Sequence, residues 1–300
     1  MINAQHLPLI SIAMPVYNCE ATIGEAIASI INQDFTDWEL LIIDDGSTDR
    51  TAEQARLFTD SRIRVLDGGD NQHLPKRLNQ AVRLARGSYF ARMDGDDISY
   101  PGRLREQLEY LEQNPQVDLL GGSILIFGST GDPIGLRQAR PSHNKICGTP
   151  WRPACLAHVT WMGRREWFQR NLYREDLTHA QDRELLTRTR RKARFASLPG
   201  VLVGVREEAL CLKKQIFSRK QYFKALCREG VRQRDPALLL VSAPLEIAKL
   251  VVDITAIQSG LNYRLLPHRI PNVSQDDAER WMSVLDETRE TAAQYENASV

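Results

Sequence analysis

Three carboxylates crowd into four residues at Asp94-Gly95-Asp96-Asp97. Like charges this close repel one another, so the group needs a cation or a Lys/Arg partner. Oxygen ligands grouped this way suit Mg²⁺ or Mn²⁺, hard ions that bind through carboxylates and substrate phosphates. The competing reading is a solvated acidic turn ahead of a helix, where negative charge is favoured. Asp44-Asp45-Gly46-Ser47 is either a turn with Ser47 as a helix cap, or a carboxylate placed to accept the imide N–H of a uracil. Pro15-Val16-Tyr17-Asn18 is either a half-buried tyrosine before a turn or a flat ring on which a base stacks.

The elements that must position these groups alternate in short periods, which predicts an α/β fold with a mainly parallel sheet. Leu9 to Met14 is a short apolar run closed by Pro15 and reads as a buried first strand. Ile23, Ala26, Ile27, Ile30 and Ile31 then recur at helical spacing over 21–33. Strands are expected at 39–43, 62–66 and 88–93, with helices at 51–58, 78–86 and 103–113. Three strands thus end in Tyr17-Asn18, Asp44-Asp45 and Asp94 to Asp97, and ligands of open α/β sheets gather beyond such ends. A further strand is expected over 117–127. The Gly/Pro/Ser-rich stretch 128–153 reads as a long loop or seam. A basic helix at 184–194 and a strand at 201–205 follow, then amphipathic helices from 212 with a frayed polar tail after Thr291.

Taken in order, Pro15-Val16-Tyr17-Asn18, Ile42-Ile43-Asp44-Asp45-Gly46-Ser47-Thr48-Asp49 and Arg92-Met93-Asp94-Gly95-Asp96-Asp97 resemble the motifs of the family-2 glycosyltransferases. The likeness spans roughly residues 8 to 210. It implies a GT-A type, Rossmann-like nucleotide-diphospho-sugar transferase sheet over residues 1–210, with a donor half at about 8–127, an acceptor half at about 128–210, and a helical C-terminal extension over 211–300. It further implies that Pro15 and Tyr17 line a nucleobase pocket, that Asp45 bonds the base, that Asp94 holds the ribose or a metal-bound water, and that Asp96 ligates Mn²⁺ or Mg²⁺. Ala157 to Arg165 resembles the family's His-x-Thr stretch, which puts His158 and Arg164 on the acceptor side. His158 taken alone is a structural histidine. Ala180-Gln181-Asp182 resembles the family's Glu-Asp motif with Gln181 in place of Glu. Asp182 is then the catalytic base, and it is also a candidate helix cap. The implied reaction is an inverting displacement. A carboxylate takes the acceptor hydroxyl's proton, and positive charge meets the leaving diphosphate.

Two positions depart from the family pattern. Asn71-Gln72-His73 has His73 where relatives have Gly, so either the loop takes another path or His73 or Arg77 reaches the donor diphosphate. Arg206-Glu207-Glu208 replaces Arg-x-His, so Glu208 is either an oxygen ligand or no ligand at all. The reading is an enzyme acting on a nucleoside-diphosphate sugar, with UDP as the expected nucleotide and a glycan or lipid-linked acceptor of a bacterial surface polysaccharide. The alternatives are a sugar nucleotidyltransferase and a non-catalytic nucleotide-sugar-binding or membrane-scaffolding protein. The stretch after Met14 lacks the glycine-rich phosphate loop expected of the first, and no GxGxxG of a dehydrogenase follows the first strand.

The chain has 300 residues, 42% hydrophobic and 26% charged, which excludes a disordered or collagen-like protein. A net charge of +1 hides an asymmetry: residues 137–234 hold 23 Lys/Arg against 8 Asp/Glu. The densest part, Arg188 to Arg194, is either a solvated helix face or a patch for anionic headgroups or a diphosphate-linked lipid. Aromatics do not interleave with the basic residues, so nucleic acid is not expected. Five cysteines without CxxC spacing, and no secretory signal, point to a reducing cytoplasm, with peripheral contact on the inner membrane face as an expected addition. The apolar window Ala237 to Ile257 carries Pro244, Glu246, Lys249 and Asp253, and so reads as an amphipathic helix, not a span.

Overall fold

The computed structural model describes residues 7–149, 151, 154–207, 212–258 and 273–298. Strands β1 (Ile10–Val16) and β2 (Trp38–Asp44) are buried along their whole length, as expected of strands covered on both faces. With β3 (Ile63–Asp67) and β4 (Tyr89–Arg92) they form a parallel set, with Ile12 beside Leu40 and Ala91. The sheet continues through β8 (Met162–Arg164), β6 (Leu119–Phe127), β9 (Phe195–Arg206) and β5 (Ile98–Ser99), in the order β3-β2-β1-β4-β8-β6-β9-β5. β8 runs antiparallel to both neighbours, and β6 and β9 are parallel. The result is the mixed sheet of a GT-A-like, Rossmann-type core.

Alternate residues of each strand face opposite helical layers. Ile12, Met14, Leu40 and Ile42 meet helices α1 (Ile23–Ile31) and α4 (Arg103–Gln113). Ala13, Leu41 and Ile43 meet Leu78, Ala81 and Val82 of α3 (Leu74–Leu84), together with α6 (Arg165–Arg170) and α7 (Gln181–Thr189). Helix α2 (Thr51–Arg56) closes the β2–β3 connection.

The stretch expected to be a loop contains β7 (Pro133–Arg137), paired antiparallel with β6, and the short α5 (His143–Cys147). β9 is far longer than the predicted strand, and its register against β6 shifts between Gly122 and Ile124. The expected basic helix ends at Thr189. Some of its arginines are paired within the fold: Arg188 with Glu184, and Arg190 and Arg191 both with Asp235, while Arg191, Lys192 and Arg194 remain exposed.

After β9 come α8 (Leu212–Gln233), a π-helical turn (Leu238–Ser242), α9 (Ala243–Gln258) and α10 (Gln275–Asn297). α10 returns to the sheet. Trp281 is fully buried against Phe127 and Tyr100, and its indole N–H donates to Gly131 O at 2.7 Å. A Cβ on Gly204 would lie 2.1 Å from the Trp281 ring, so β9 needs glycine where the indole crosses it. The frayed tail expected after Thr291 is instead helical to Asn297, because Tyr295 stacks on Phe58 at 4.7 Å.

Candidate active site

The loops after β1 and β2 are stitched together. Asn18, with a left-handed φ of 52°, accepts the Thr48 N–H on Oδ1 at 2.8 Å, and its own N–H donates to Ser47 Oγ. The Cys19 and Glu20 N–H groups donate to Thr51 Oγ1 and Asp49 Oδ2. Pro15 is buried within β1, whereas Tyr17 just beyond it is 47% exposed, so a flat ring stands at the carboxyl end of the sheet.

Asp44 folds into its own turn and accepts from Ser47. Asp45 is buried and holds three donors: Arg77 Nε at 2.6 Å, Gln72 N at 2.8 Å and His73 N at 2.9 Å. Arg77 in turn donates to Gly68 O and Asp70 O, both at 2.6 Å. Asp45 and Arg77 together therefore shape the 67–73 loop. His73 enters α3 with a φ of 68°, a left-handed conformation that glycine adopts more readily.

At the end of β4, oxygens of Asp94, Asp96 and Asp97 lie within 4.8 Å of one another. Gly95 keeps this turn against β1, since a Cβ there would lie 2.7 Å from Val16 Cγ1. Arg92 pairs with Asp94, and Asp97 Oδ1 accepts the Arg206 N–H at 2.9 Å. Removal from water, then the Asp94 charge, push Asp96 up to about 6; although its side chain reaches the surface, surrounding atoms withhold much of its hydration. Buried Asp97 is pushed well above the usual carboxylate range by burial first and by Asp94 and Asp96 next. The cluster thus carries more negative charge than its arginines offset. An all-oxygen donor set in that state fits a hard divalent ion, and Asp94, Asp96 and Asp97 are the residues that would hold it.

A cleft of about 610 Å³ opens beside this cluster, and Arg92, Asp94, Asp97, His158, Asp182 and Arg183 are among its lining residues. Asp182 sits in the first turn of α7 but does not cap it: the cap position is Ala180, in a left-handed conformation. The carboxylate is instead part of the cleft wall. His158 lies in a 3-10 turn (His158–Thr160), with Nε2 2.9 Å from the Tyr173 hydroxyl and its ring against Trp161. Burial, and then the Arg92 guanidinium, hold its imidazole well below the usual histidine range, so it is neutral. Among the described residues, Arg92 Nε and Gln181 Oε1 are buried without a hydrogen-bond partner.

Of the residues singled out in the sequence, Asp94, His158 and Asp182 meet at this cleft, and Asp96 stands on the same acidic turn. Pro15, Tyr17, Asp45 and Arg77 belong to the ends of β1 and β2 and to α3, outside the cleft's lining. The Arg164 guanidinium donates to Val117 O and Leu111 O, both at 3.1 Å, and Arg164 is not among the residues that line the cleft. Glu208 lies outside the described residues. Sequence reasoning places Asp97 in the acidic cluster without assigning it a ligand role of its own, and assigns none to Arg92, although both stand in the Arg92–Asp97 motif. It missed the wall supplied by Arg137 and Arg140 because that segment has no period.

Residues 11–172 match the family described as Glycosyl transferase family 2, more than half of the chain, and the protein belongs to that family. EpsE of Bacillus subtilis (strain 168), named as a glycosyltransferase, is 40% identical over 136 residues, 44% of this chain and 48% of that protein. The Escherichia coli UDP-Glc:alpha-D-GlcNAc-diphosphoundecaprenol beta-1,3-glucosyltransferase WfgD is 38% identical over 106 residues, 35% of this chain and 42% of that protein. The chain therefore spans about half the length of these curated relatives. In fold it is similar to the mannosyltransferase PcManGT of Pyrobaculum calidifontis, solved with GDP-Man and Mn²⁺, at a TM-score of 0.60 and 16% identity, covering 97% of this chain and 88% of that one.

Proposed function

We propose that the protein transfers a sugar from a nucleoside-diphosphate sugar, with UDP as the nucleotide, to a hydroxyl of a glycan or lipid-linked acceptor in bacterial surface-polysaccharide synthesis. The observation that carries this reading is the cleft itself: Asp94 and Asp97 of the three-carboxylate cluster line it together with Asp182, and the reaction needs no nucleophilic Ser or Cys. Asp182 takes the proton of the acceptor hydroxyl as its oxygen attacks the anomeric carbon, and the bond to the diphosphate breaks in the same displacement, inverting the centre. When bound, Mn²⁺ or Mg²⁺ supplies positive charge against the leaving diphosphate. Neutral His158, fixed by Tyr173, shapes the acceptor wall without adding charge. WfgD, a UDP-Glc-dependent glucosyltransferase by name, supports the uridine nucleotide. In this reading the protein works in a reducing cytoplasm, where cysteines persist as thiols.

The test is product analysis. Incubation with a panel of nucleotide sugars, Mn²⁺ and a diphosphate-linked acceptor should release nucleoside diphosphate in step with acceptor glycosylation. Release of pyrophosphate would identify a nucleotidyltransferase instead. Donor binding without turnover under all conditions would identify a binding protein.

A further inference from the structure

In the basic run Arg188 to Arg194, the charge patch most visible in the sequence, Arg188 pairs with Glu184 and Arg190 and Arg191 share Asp235, while Arg191, Lys192 and Arg194 stay exposed. Exposed positive charge lies on α8 as well, and there it borders an apolar groove. That helix carries seven Lys/Arg and one acidic residue, Glu229, which is buried. Lys220, Lys224 and Arg228 are all exposed and stand four residues apart, so they form one row of about 12 Å along the helix. Arg228 spends part of its charge on Asp176 at 2.7 Å.

Beside this row runs an apolar groove of about 460 Å³ between α8 and α9, lined by Leu177, Phe217, Phe223, Ile247 and Leu250, with Lys220 and Lys224 on its rim. Its apolar surface continues outward. Ile247 is 46% exposed, and Val251 and Val252 are each 54% exposed on the next turn of α9. None of these residues belongs to the cleft that holds Asp182. Among the described residues, no helix is long and apolar enough to cross a membrane.

We propose that this face, the basic row of α8 with the apolar groove and the exposed turn of α9, docks on an anionic membrane surface. Positive side chains flanking exposed aliphatic groups match the two layers of such a surface, phosphate headgroups outside and acyl chains beneath. A second copy of the chain is a poorer occupant, because a two-fold contact through this face would bring the two lysine rows together. Leu177 in the groove stands five residues before Asp182 in the cleft, and five residues of chain span at most about 18 Å, so docking sets the catalytic cleft close to the bilayer, where a lipid-linked acceptor would present its sugar.

The probe is the intact protein with vesicles of phosphatidylcholine alone or mixed equally with phosphatidylglycerol, read by co-sedimentation without any sugar donor. Binding to the anionic vesicles should exceed binding to the neutral ones at least tenfold. Each basic residue near such a surface strengthens binding about fivefold, so Lys220→Gln/Lys224→Gln should weaken it about 30-fold. Val251→Ser/Val252→Ser should weaken it about tenfold through the apolar contact. Both variants should keep the wild-type Tm and the wild-type rate of donor hydrolysis in solution. Equal binding to both vesicle types, no binding by the folded protein, or undiminished binding by the lysine variant would overturn the proposal. So would light scattering that shows a dimer which Val251→Ser/Val252→Ser dissolves. Because no substrate enters the assay, its outcome is separable from that of the transfer reading.

Discussion

Asp45 Oδ1 accepts the Nε proton of Arg77 at 2.6 Å, with both side chains almost wholly buried. The pair joins the end of β2 to the first turns of α3 and, through the Gly68 and Asp70 carbonyls, fixes the loop between them. Removing one partner leaves an uncompensated buried charge, which costs about 3–5 kcal/mol. Arg77→Met should lose that much in urea unfolding. The Asp45→Asn/Arg77→Met double variant should lose less than the two single losses added together. Strict additivity would show that the pair is not coupled.

The acidic turn makes stability fall as pH rises. Asp96 is pushed up to about 6 and Asp97 well above its usual range, so between about pH 4 and 6 the folded state binds more protons than the unfolded chain. The folded state is therefore favoured below that window and penalised above it. Compared with Asp96→Asn, the metal-free wild-type protein should lose Tm between pH 4.5 and 6.5. Mn²⁺ should raise the wild-type Tm more at pH 7.5 than at pH 5, where protons compete for the same oxygens. A Tm response to Mn²⁺ that is equal at both pH values would exclude this cluster as the ion's site.

Asp182 lines the cleft and does not cap α7. Asp182→Asn should therefore leave stability within about 0.5 kcal/mol, with turnover reduced by about 10²–10⁴ through loss of the general base. Donor affinity, measured by calorimetry, should stay at its wild-type value. A stability loss of the size expected for a broken cap would return the residue to a structural role.

Gly204 and Trp281 are 77 positions apart in the chain, yet the indole lies on the glycine. Gly204→Ala forces the ring or β9 to move, and overpacking of this kind costs about 1–3 kcal/mol. Thermal unfolding should show the loss, with indole fluorescence shifted to the red as Trp281 meets water. A neutral Gly204→Ala would mean that α10 is not seated as described.

What the sequence made legible were the elements with a clean period and both faces covered, namely β1, β2, α1 and α4, and the strand ends that carry Tyr17, Asp45 and Asp94. What it hid depends on contacts between distant residues. Nothing in the local pattern links Arg77 to Asp45, or Arg164 to the carbonyls of Leu111 and Val117. β7 escaped because an edge strand with only Gly135 buried has no apolar alternation to read. The tail after Thr291 looked frayed because its composition is polar, while one aromatic, Tyr295, anchors it to Phe58.

The seat of Trp281 sets a schedule for synthesis. β9 leaves the ribosome with an open slot over Gly204, and the indole that fills it emerges 77 residues later. At about 5–20 residues per second that interval is roughly 4–15 s. During it, Phe127 and Tyr100 lack their Trp281 cover, so the nascent chain presents a sticky aromatic hollow to chaperones until α10 arrives.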